Sequence, residues 1–186
     1  MRRSTLGAIA AALALSGCGP PGHVEQGRVI VYNPQARQVT LILEAATRSS
    51  PGILPPVTIE TPADPNEMGP APAAGGLMLV DARNRRIVIY DRGRQAFRTI
   101  AYTPVEERHD VAKSPGPAVV DRARKTITLY AAKDRTLITF AASDDLLAMP
   151  GDTWRAGDVI RFYYKDPGRA LRLMNVTQTD LSKASG

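Results

Sequence analysis

Cysteine and histidine are scarce in this sequence of 186 residues. It contains one cysteine, Cys18, and two histidines, His23 and His109. A lone cysteine cannot form a disulfide within its own chain, so its presence needs another explanation. The sequence also lacks a G-x-S-x-G elbow, an H-E-x-x-H helix and a phosphate-binding loop. These absences leave catalysis without support, and we expect a protein that is not an enzyme and that uses no cofactor and no metal.

Long hydrophobic runs are also missing. Residues 6–15 (LGAIAAALAL) are apolar, but a helix needs about 20 residues to cross roughly 30 Å of hydrocarbon. The run follows the positive charges of Arg2 and Arg3 and precedes small residues, an order that is typical of a secretory signal peptide. The sequence therefore predicts export through residues 1–17 and disfavours a permanent transmembrane helix.

The signal ends at Leu15-Ser16-Gly17-Cys18. This segment resembles the lipobox of bacterial lipoproteins, in which an aliphatic residue and two small residues precede the cysteine. The resemblance implies that Cys18 becomes the first residue and carries at least two acyl chains, palmitate among them. Two chains hold a protein firmly on a membrane, whereas one binds only marginally. The alternative is an ordinary signal peptide followed by a cysteine that stands there by chance.

Residues 18–25 form a short tether that is rich in proline and glycine. Such a segment is extended at about 3.1 Å per residue, which places the folded body only ~20 Å from the membrane. Gly19 is not the aspartate that marks retention in the inner membrane of enteric bacteria. We therefore expect a protein of the cell envelope that is anchored to the outer membrane and faces the periplasm.

The chain is mildly basic. Its net charge is +6, and removal of Arg2 and Arg3 with the signal leaves about +4. Basic residues stand near predicted hairpin tips, where charge keeps strand edges from pairing with other chains. They are interpreted as solvated tips, or alternatively as contacts to an envelope protein, an anionic glycan or an anionic lipid. Nucleic acid is not expected where the export signal directs the chain. The tip residues are Arg83, Arg85, Arg86, Arg92, Arg94, Arg122, Arg124 and Lys125.

Short runs of apolar and β-branched residues, separated by Asn, Asp, Gly and Pro, dominate the remaining sequence. Such runs are typical of strands, and the residues between them are typical of turns. Residues 144–149 (DDLLAM) give the best short helix, with Ser143 or Asp144 as N-cap. The sequence therefore predicts an all-β fold. The predicted strands cover residues 28–32, 38–43, 57–60, 77–80, 86–90, 97–102, 118–120, 126–130, 136–140, 159–164 and 170–176.

Two internal self-matches suggest two architectures. At a spacing of 81, residues 57–59 match residues 138–140, and Met68 matches Met149. Each copy reads three strands, a short helix or turn and two strands, which is the order of the OB-fold. This match predicts two tandem OB-like barrels at 26–102 and 117–178, with a linker at 103–116 and a flexible tail at 179–186. A second match at a spacing of 40, between 80–90 and 120–130, supports a β-hairpin array or blade-like repeat as the alternative.

Three groups of residues could carry chemistry. His109 stands among acids in residues 106–110 (EERHD), where a solvated linker is the simpler interpretation. Asp144 and Asp145 could form an acid pair, although capping of a helix explains them better. Thioethers and imidazole brought together would bind cuprous copper, but methionine more often fills gaps in a core. The residues considered for copper are Met68, Met78, Met149, Met174 and Trp154.

The mature sequence resembles an uncharacterised family of exported lipoproteins, a domain of unknown function that is typical of sulfate-reducing bacteria. The resemblance implies export, lipidation and a mostly β body, and it implies no catalytic residue. We expect a non-enzymatic binding or scaffolding module of the envelope; a periplasmic metal carrier and an envelope hydrolase are the alternatives. The stretches that carry the resemblance are 26–30 (QGRVI), 54–58 (LPPVT), 64–70 (DPNEMGP), 120–122 (VDR), 152–154 (DTW) and 163–168 (YYKDPG).

Overall fold

A computed structural model describes residues 21–44 and 55–179. The prediction of an all-β fold is confirmed, because 48% of the described residues are strand and 8% are helix. The signal at 1–17, Cys18 and most of the tail at 179–186 lie outside the described residues. The strands are β1 (His23–Asn33), β2 (Gln38–Leu43), β3 (Val57–Glu60), β4 (Leu77–Asp81), β5 (Arg86–Asp91), β6 (Ala96–Ala101), β7 (Pro104–Arg108), β8 (Val119–Asp121), β9 (Thr126–Ala131), β10 (Thr136–Ala141), β11 (Val159–Tyr164) and β12 (Arg172–Asn175).

Three complete short helical segments lie between strands in the described residues. The predicted helix at 144–149 is present as α1 (Asp144–Leu147), with Ser143 as N-cap. Two 3-10 turns, η1 (Pro65–Glu67) and η2 (Gly151–Trp154), precede β4 and β11. In the described part of the chain, none of the helices has the length and apolar character needed to cross a membrane.

The hairpins share one turn design. In four of them an Asn or Asp at the end of the first strand accepts a hydrogen bond, through its side chain, from the backbone N–H three residues later. The turn then ends on a residue with φ near +50°. This common turn explains the match at a spacing of 40, since β4–β5 and β8–β9 are built alike. The accepting residues are Asn33, Asp81, Asp91 and Asp121, and the residues with positive φ are Arg37, Arg85, Gln95 and Lys125.

One antiparallel sheet joins the two ends of the described chain. Its order is β12-β11-β1-β2-β3, so the long strand β1 is central. β1 pairs with β11 from His23↔Tyr164 to Arg28↔Val159. Apolar side chains from β1, β2, β3, β11 and β12 form a core on one face of the sheet, and Val29, Leu41 and Ile160 are fully buried there.

The other two sheets are built from sequential hairpins and share a second core. The three-stranded sheet has the order β4-β5-β6, and the four-stranded sheet has the order β7-β10-β9-β8. Buried side chains of β5, β9 and β10 meet those of α1 and η2 in this core. Ile87, Ile127, Phe140 and Trp154 are each at most 1% exposed.

The strands do not form the predicted OB-like barrels. Among residues 21–44 and 55–179 three antiparallel sheets are present and none closes into a barrel. An OB-like first barrel needs β4 and β5 beside β1, but β4 pairs with β5, and β5 pairs with β6, to which it is joined by a four-residue turn. Closing a short loop costs less entropy than a distant pairing. The hairpin array, the alternative from the spacing of 40, describes these two sheets better.

The predicted domain boundaries cross the observed pairings. β1 belongs to the predicted first domain and β11 to the second, yet they are neighbours in one sheet. The predicted linker at 103–116 contains β7, which pairs with β10. Strands from residues 26–102 and from residues 117–178 therefore share the five-stranded sheet.

Candidate functional site

A charged cleft lies where β7 ends between two hairpin turns. The cleft has a volume of about 350 Å³. The β4–β5 turn and the β9–β10 turn form two of its walls, and the residues that follow β7 form the third. Apart from Ala82 and Thr136, every side chain that lines it can carry charge. The lining residues are Ala82, Arg83, Glu107, His109, Asp110, Lys133, Asp134, Arg135 and Thr136.

His109 is held in this cleft by a neighbouring hydroxyl. Its Nδ1 lies 3.2 Å from Oγ1 of Thr136. That hydroxyl also donates to the backbone carbonyl oxygen of Asp134, at 2.9 Å. Thr136 is only 2% exposed, so its oxygen is not accessible for attack on a ligand. The contact therefore orients an exposed imidazole and does not create a nucleophile with its base.

The ionic side chains of the cleft are only partly paired with each other. Asp134 accepts from Arg83 at 3.5 Å and from the backbone N–H of Ala82 at 3.4 Å. In the described ranges, Lys133, Arg135 and Asp110 form no ion pair within 4.0 Å. Asp110 also has a φ of 56°, a conformation that Asp tolerates better than most residues. The cleft therefore presents charges of both signs to solvent.

The sequence identified His109 but not its neighbours. The sequence predicts Arg83 at a basic tip, because local turn chemistry is visible in a sequence. Pairing of β7 with β10 brings the β9–β10 turn beside the end of β7, and packing between the two hairpin sheets brings the β4–β5 turn there. No local signal predicts that juxtaposition.

Most of the other predicted basic tips are paired with acids near them. Arg86 contacts Asp81 at 3.1 Å, and Arg92 forms an ion pair with Asp152. Exposed pairs of this kind contribute little to stability. They also reduce the positive charge that the tips present, which leaves the cleft as the described site with the most unpaired charge at hairpin tips.

The two acids of α1 each contact a cation. Asp144 lies 2.9 Å from the ammonium of Lys125, and Asp145 lies 3.0 Å from a guanidinium nitrogen of Arg98. A hydrogen bond from Ser143 and the contact with Arg98 lower the pKa of Asp145. A general acid at neutral pH needs the opposite shift. The pair is therefore arranged for ion pairing and not for proton transfer.

The methionines considered for copper are dispersed. Met68, Met78 and Met149 pack against three different apolar clusters. Met174 is 37% exposed on β12, and Trp154 is 1% exposed in the core between the hairpin sheets. The described residues also contain no group of three His, Cys, Asp or Glu side chains that could hold a metal ion. The thioethers thus do not converge on one site.

A model of one protein family matches residues 21–184, which is nearly all of the sequence after the predicted signal. The family is described as a domain of unknown function, DUF4881. The chain belongs to this family. The matched residues include all three sheets, the cleft and β1. No curated protein and no solved structure matches the chain.

Proposed function

We propose that this DUF4881 protein is a lipid-anchored binding module of the cell envelope, held on the membrane through Cys18 and contacting its ligand through the charged cleft. The ligand is a polar envelope component, either a protein or an anionic glycan. The observation that carries the proposal is the set of unpaired charges around His109 in an open cleft of about 350 Å³.

The cleft suits recognition better than catalysis. Its one hydroxyl beside a base is buried, and cations and carboxylates both line it. Unpaired cations can bind the acidic groups of a glycan, and charges of both signs can pair with those of a protein. These are properties of a binding surface.

The anchor is supported by the sequence and by the position of β1. The lipobox ends at Cys18, and β1 begins at His23. Four residues lie between them, and the chain from Cys18 to His23 spans at most about 18 Å when extended. The His23 ring stacks on that of Tyr164 with centroids 5.4 Å apart, so the sheet begins close to the point of attachment. An outer-membrane position that faces the periplasm, typical of the lipoproteins that the sequence resembles, belongs to this proposal.

Metabolic labelling tests the anchor. Cells that produce the wild-type chain or Cys18→Ser are fed a clickable palmitate analogue, and the protein is recovered. We expect label on the wild type and none on the variant, since no other cysteine is available. Equal labelling of the two would contradict the anchor.

Site-specific photocrosslinking tests the cleft. A photoreactive amino acid replaces Lys133 in the cleft or, as a matched control, Arg124 in the β8–β9 turn, where the side chain is 84% exposed. We expect one discrete crosslinked species from position 133 and none from 124. Identical crosslinking at both positions would show that the cleft has no special role. A second preparation with Lys133→Glu tests whether the charge itself is needed.

A further inference from the structure

The outer surface of β12, β11 and β1 carries an apolar and basic face next to the anchor. In register across the three strands stand Val24, Tyr163 and Arg172, and the next row is Gln26, Arg161 and Met174. The opposite side of the same strands is buried, as Phe162 and Leu173 show. We call this set the anchor-side face; Tyr163 is half-buried in it and the other residues are exposed: Val24, Arg161, Tyr163, Leu171, Arg172 and Met174.

Exposed apolar residues are concentrated on this face. Val24 is 61% exposed, Leu171 43% and Met174 37%. They are three of the seven large hydrophobic side chains that are exposed in the described residues, and the other four are spread over β1, β4, β7 and β8. Tyr163, Leu171 and Arg172 also line a shallow depression of about 510 Å³ with Glu67. Single exposed hydrophobics are ordinary, but a contiguous group marks a contact surface.

The chain that leads to the anchor leaves from this face. A Cβ added to Gly22 would lie 2.1 Å from the ring of Tyr163, so the backbone of Gly22 packs directly on that ring. Three residues lie between Gly22 and Cys18, and the chain from one to the other spans at most about 14 Å when extended. A lipid on Cys18 therefore holds the anchor-side face no farther from the bilayer than the length of this short segment.

The polar residues of the face suit lipid headgroups. Arg161 donates to the neutral Oε1 of Gln26 at 2.9 Å and has no acidic partner in the described residues. Lys165 stands exposed at the adjoining β11–β12 turn, whereas Arg172 is paired with Glu67. Basic side chains near a bilayer are attracted by anionic lipids, and tyrosine favours the boundary between headgroups and acyl chains.

We propose that the anchor-side face lies against the membrane surface, with Val24, Leu171 and Met174 at the level of the headgroups of an anionic leaflet. This inference rests on the proposed lipidation of Cys18. It fixes the orientation of the body: the outer side of β12, β11 and β1 is covered by lipid, so the sheet is not free to turn about its tether.

Fluorescence of a labelled residue tests the orientation on the lipidated, full-length protein. The acyl chains occupy Cys18, so a new cysteine at Met174→Cys or Val24→Cys can be labelled with the environment-sensitive dye NBD. The matched control is Val119→Cys on β8, whose native side chain is 57% exposed. Each protein is reconstituted in vesicles of phosphatidylethanolamine and phosphatidylglycerol, with fewer than one protein per vesicle.

We expect the emission of the label at positions 24 and 174 to shift to shorter wavelength and to be quenched by spin-labelled lipid, while the label at 119 emits as in water. The shift should be smaller when phosphatidylglycerol is replaced by phosphatidylcholine. Water-like emission at all three positions, with lipid on Cys18 verified by mass spectrometry, overturns the orientation and leaves the anchor intact. A shift seen only at high protein density would mean that a second copy covers the face, which also overturns it. Absence of lipid on Cys18 removes both proposals.

Discussion

The five-stranded sheet and the two hairpin sheets differ in how far apart in the sequence their paired strands lie. In the five-stranded sheet the central pairing joins residues more than a hundred positions apart, as in Arg28↔Val159. In the hairpin sheets, neighbours such as β5 and β6 are joined by four-residue turns. The first region must select a distant partner for β1, whereas in the second only β7, which pairs with β10, lacks a hairpin connection to its neighbour.

The two regions also treat buried polar atoms differently. Near the β1–β11 pairing, the carboxylate of Asp158 accepts from the backbone N–H of Ala73 at 2.9 Å and from Asn175 Nδ2 at 2.8 Å. Arg28 donates to the carbonyl oxygen of Gly157 at 2.8 Å. In the core of the hairpin sheets, Tyr102 Oη and Trp154 Nε1 have no hydrogen-bond partner in the described residues.

This difference has a physical reason. A buried polar group costs free energy in every pairing that leaves it without a partner, so a satisfied network favours one register over its alternatives. A long-range pairing needs that discrimination because many registers compete for it. A hairpin has its register fixed by the turn, and its core can rely on apolar packing.

The largest expected effect is at Gly157, where the loop before β11 crosses β1. A Cβ there would lie 1.8 Å from the carbonyl oxygen of Val29 and 2.9 Å from the backbone nitrogen of Gly75. Backbone atoms of two segments would have to move apart, so Gly157→Ala should lower the free energy of unfolding by about 3 kcal/mol. Urea denaturation measures the change. Gly151→Ala is the control, since nothing lies within 4 Å of its Cβ; an equal loss in both variants would refute the close crossing.

Replacement of Asp158 should cause the second-largest loss of stability. Asp158→Ala removes the acceptor of the Ala73 N–H and the nearer of two acceptors of Asn175 Nδ2, whose residue is 0% exposed, at a cost of about 2 to 3 kcal/mol. Asp166→Ala in the exposed β11–β12 turn is the control and should change the free energy of unfolding by less than about 0.5 kcal/mol. If the two variants unfold at the same urea concentration, the network does not stabilise the long-range sheet.

Acid should weaken the same network. Burial alone would raise the pKa of Asp158, but hydrogen bonds from Ala73, Asn175 and Gln178 outweigh it, and the pKa lies below its usual range. The resulting stabilisation is complete above the pKa of the unfolded chain, about 3.9, and is lost as the pH falls through the lower folded value. Unfolding free energies measured between neutral and acidic pH should show a loss that Asp158→Asn reduces. An unchanged pH profile in that variant would assign the loss to other carboxylates.

Loss of a turn hydrogen bond in the hairpin region should lower the free energy of unfolding by less than loss of the Asp158 network. Oδ1 of Asp121 accepts from the N–H of Arg124 at 2.9 Å, so Asp121→Ala should cost about 1 kcal/mol. Asp121→Asn keeps the accepting oxygen and should cost much less. A cost of Asp121→Ala that equals or exceeds that of Asp158→Ala would reverse the proposed contrast between the regions.

The smallest expected effect on the free energy of unfolding is at Tyr102, where the substitution should not destabilise the protein. Burial, with a contribution from Glu107, raises the pKa of Tyr102, and its hydroxyl has no partner in the described residues. Tyr102→Phe removes that group and should leave stability unchanged or raise it by up to about 1 kcal/mol. Tyr130→Phe is the matched control, because its hydroxyl donates to Val111 at 2.8 Å and its loss should destabilise. A clear destabilisation by Tyr102→Phe would reveal a partner for that hydroxyl.

Local elements were predictable where local chemistry determines them. The run at 86–90 is β5, and the acid-rich segment at 144–149 begins with α1, because alternation, β-branching and capping act within a few residues. β7 was missed because Val105 and Glu106 lie exposed on an edge strand, which leaves no buried face for the sequence to reveal. The match at a spacing of 81 reproduced the order of strands but not their partners.

The candidate site was predictable only in part. His109 drew attention as one of two histidines, yet its partner Thr136 and the turn residues Lys133 and Arg135 come from another hairpin. Thr136, Lys133 and Arg135 approach His109 because β7 pairs with β10, and Arg83 approaches because the two hairpin sheets pack together. Both the strand pairing and the packing combine small contributions from residues far apart in the chain. No spacing in the sequence carries that information.

The sequence by itself therefore determined the all-β class, the hairpins and the family, since periodicity, turn residues and motif order are properties of neighbouring residues. It also gave the reason to expect a lipid on Cys18. Tertiary structure alone decided that β1 pairs with β11, that the hairpin turns surround His109, and that Val24, Leu171 and Met174 share one face. These features bring together residues far apart in the chain, and their free energy exists only once the sheets are packed.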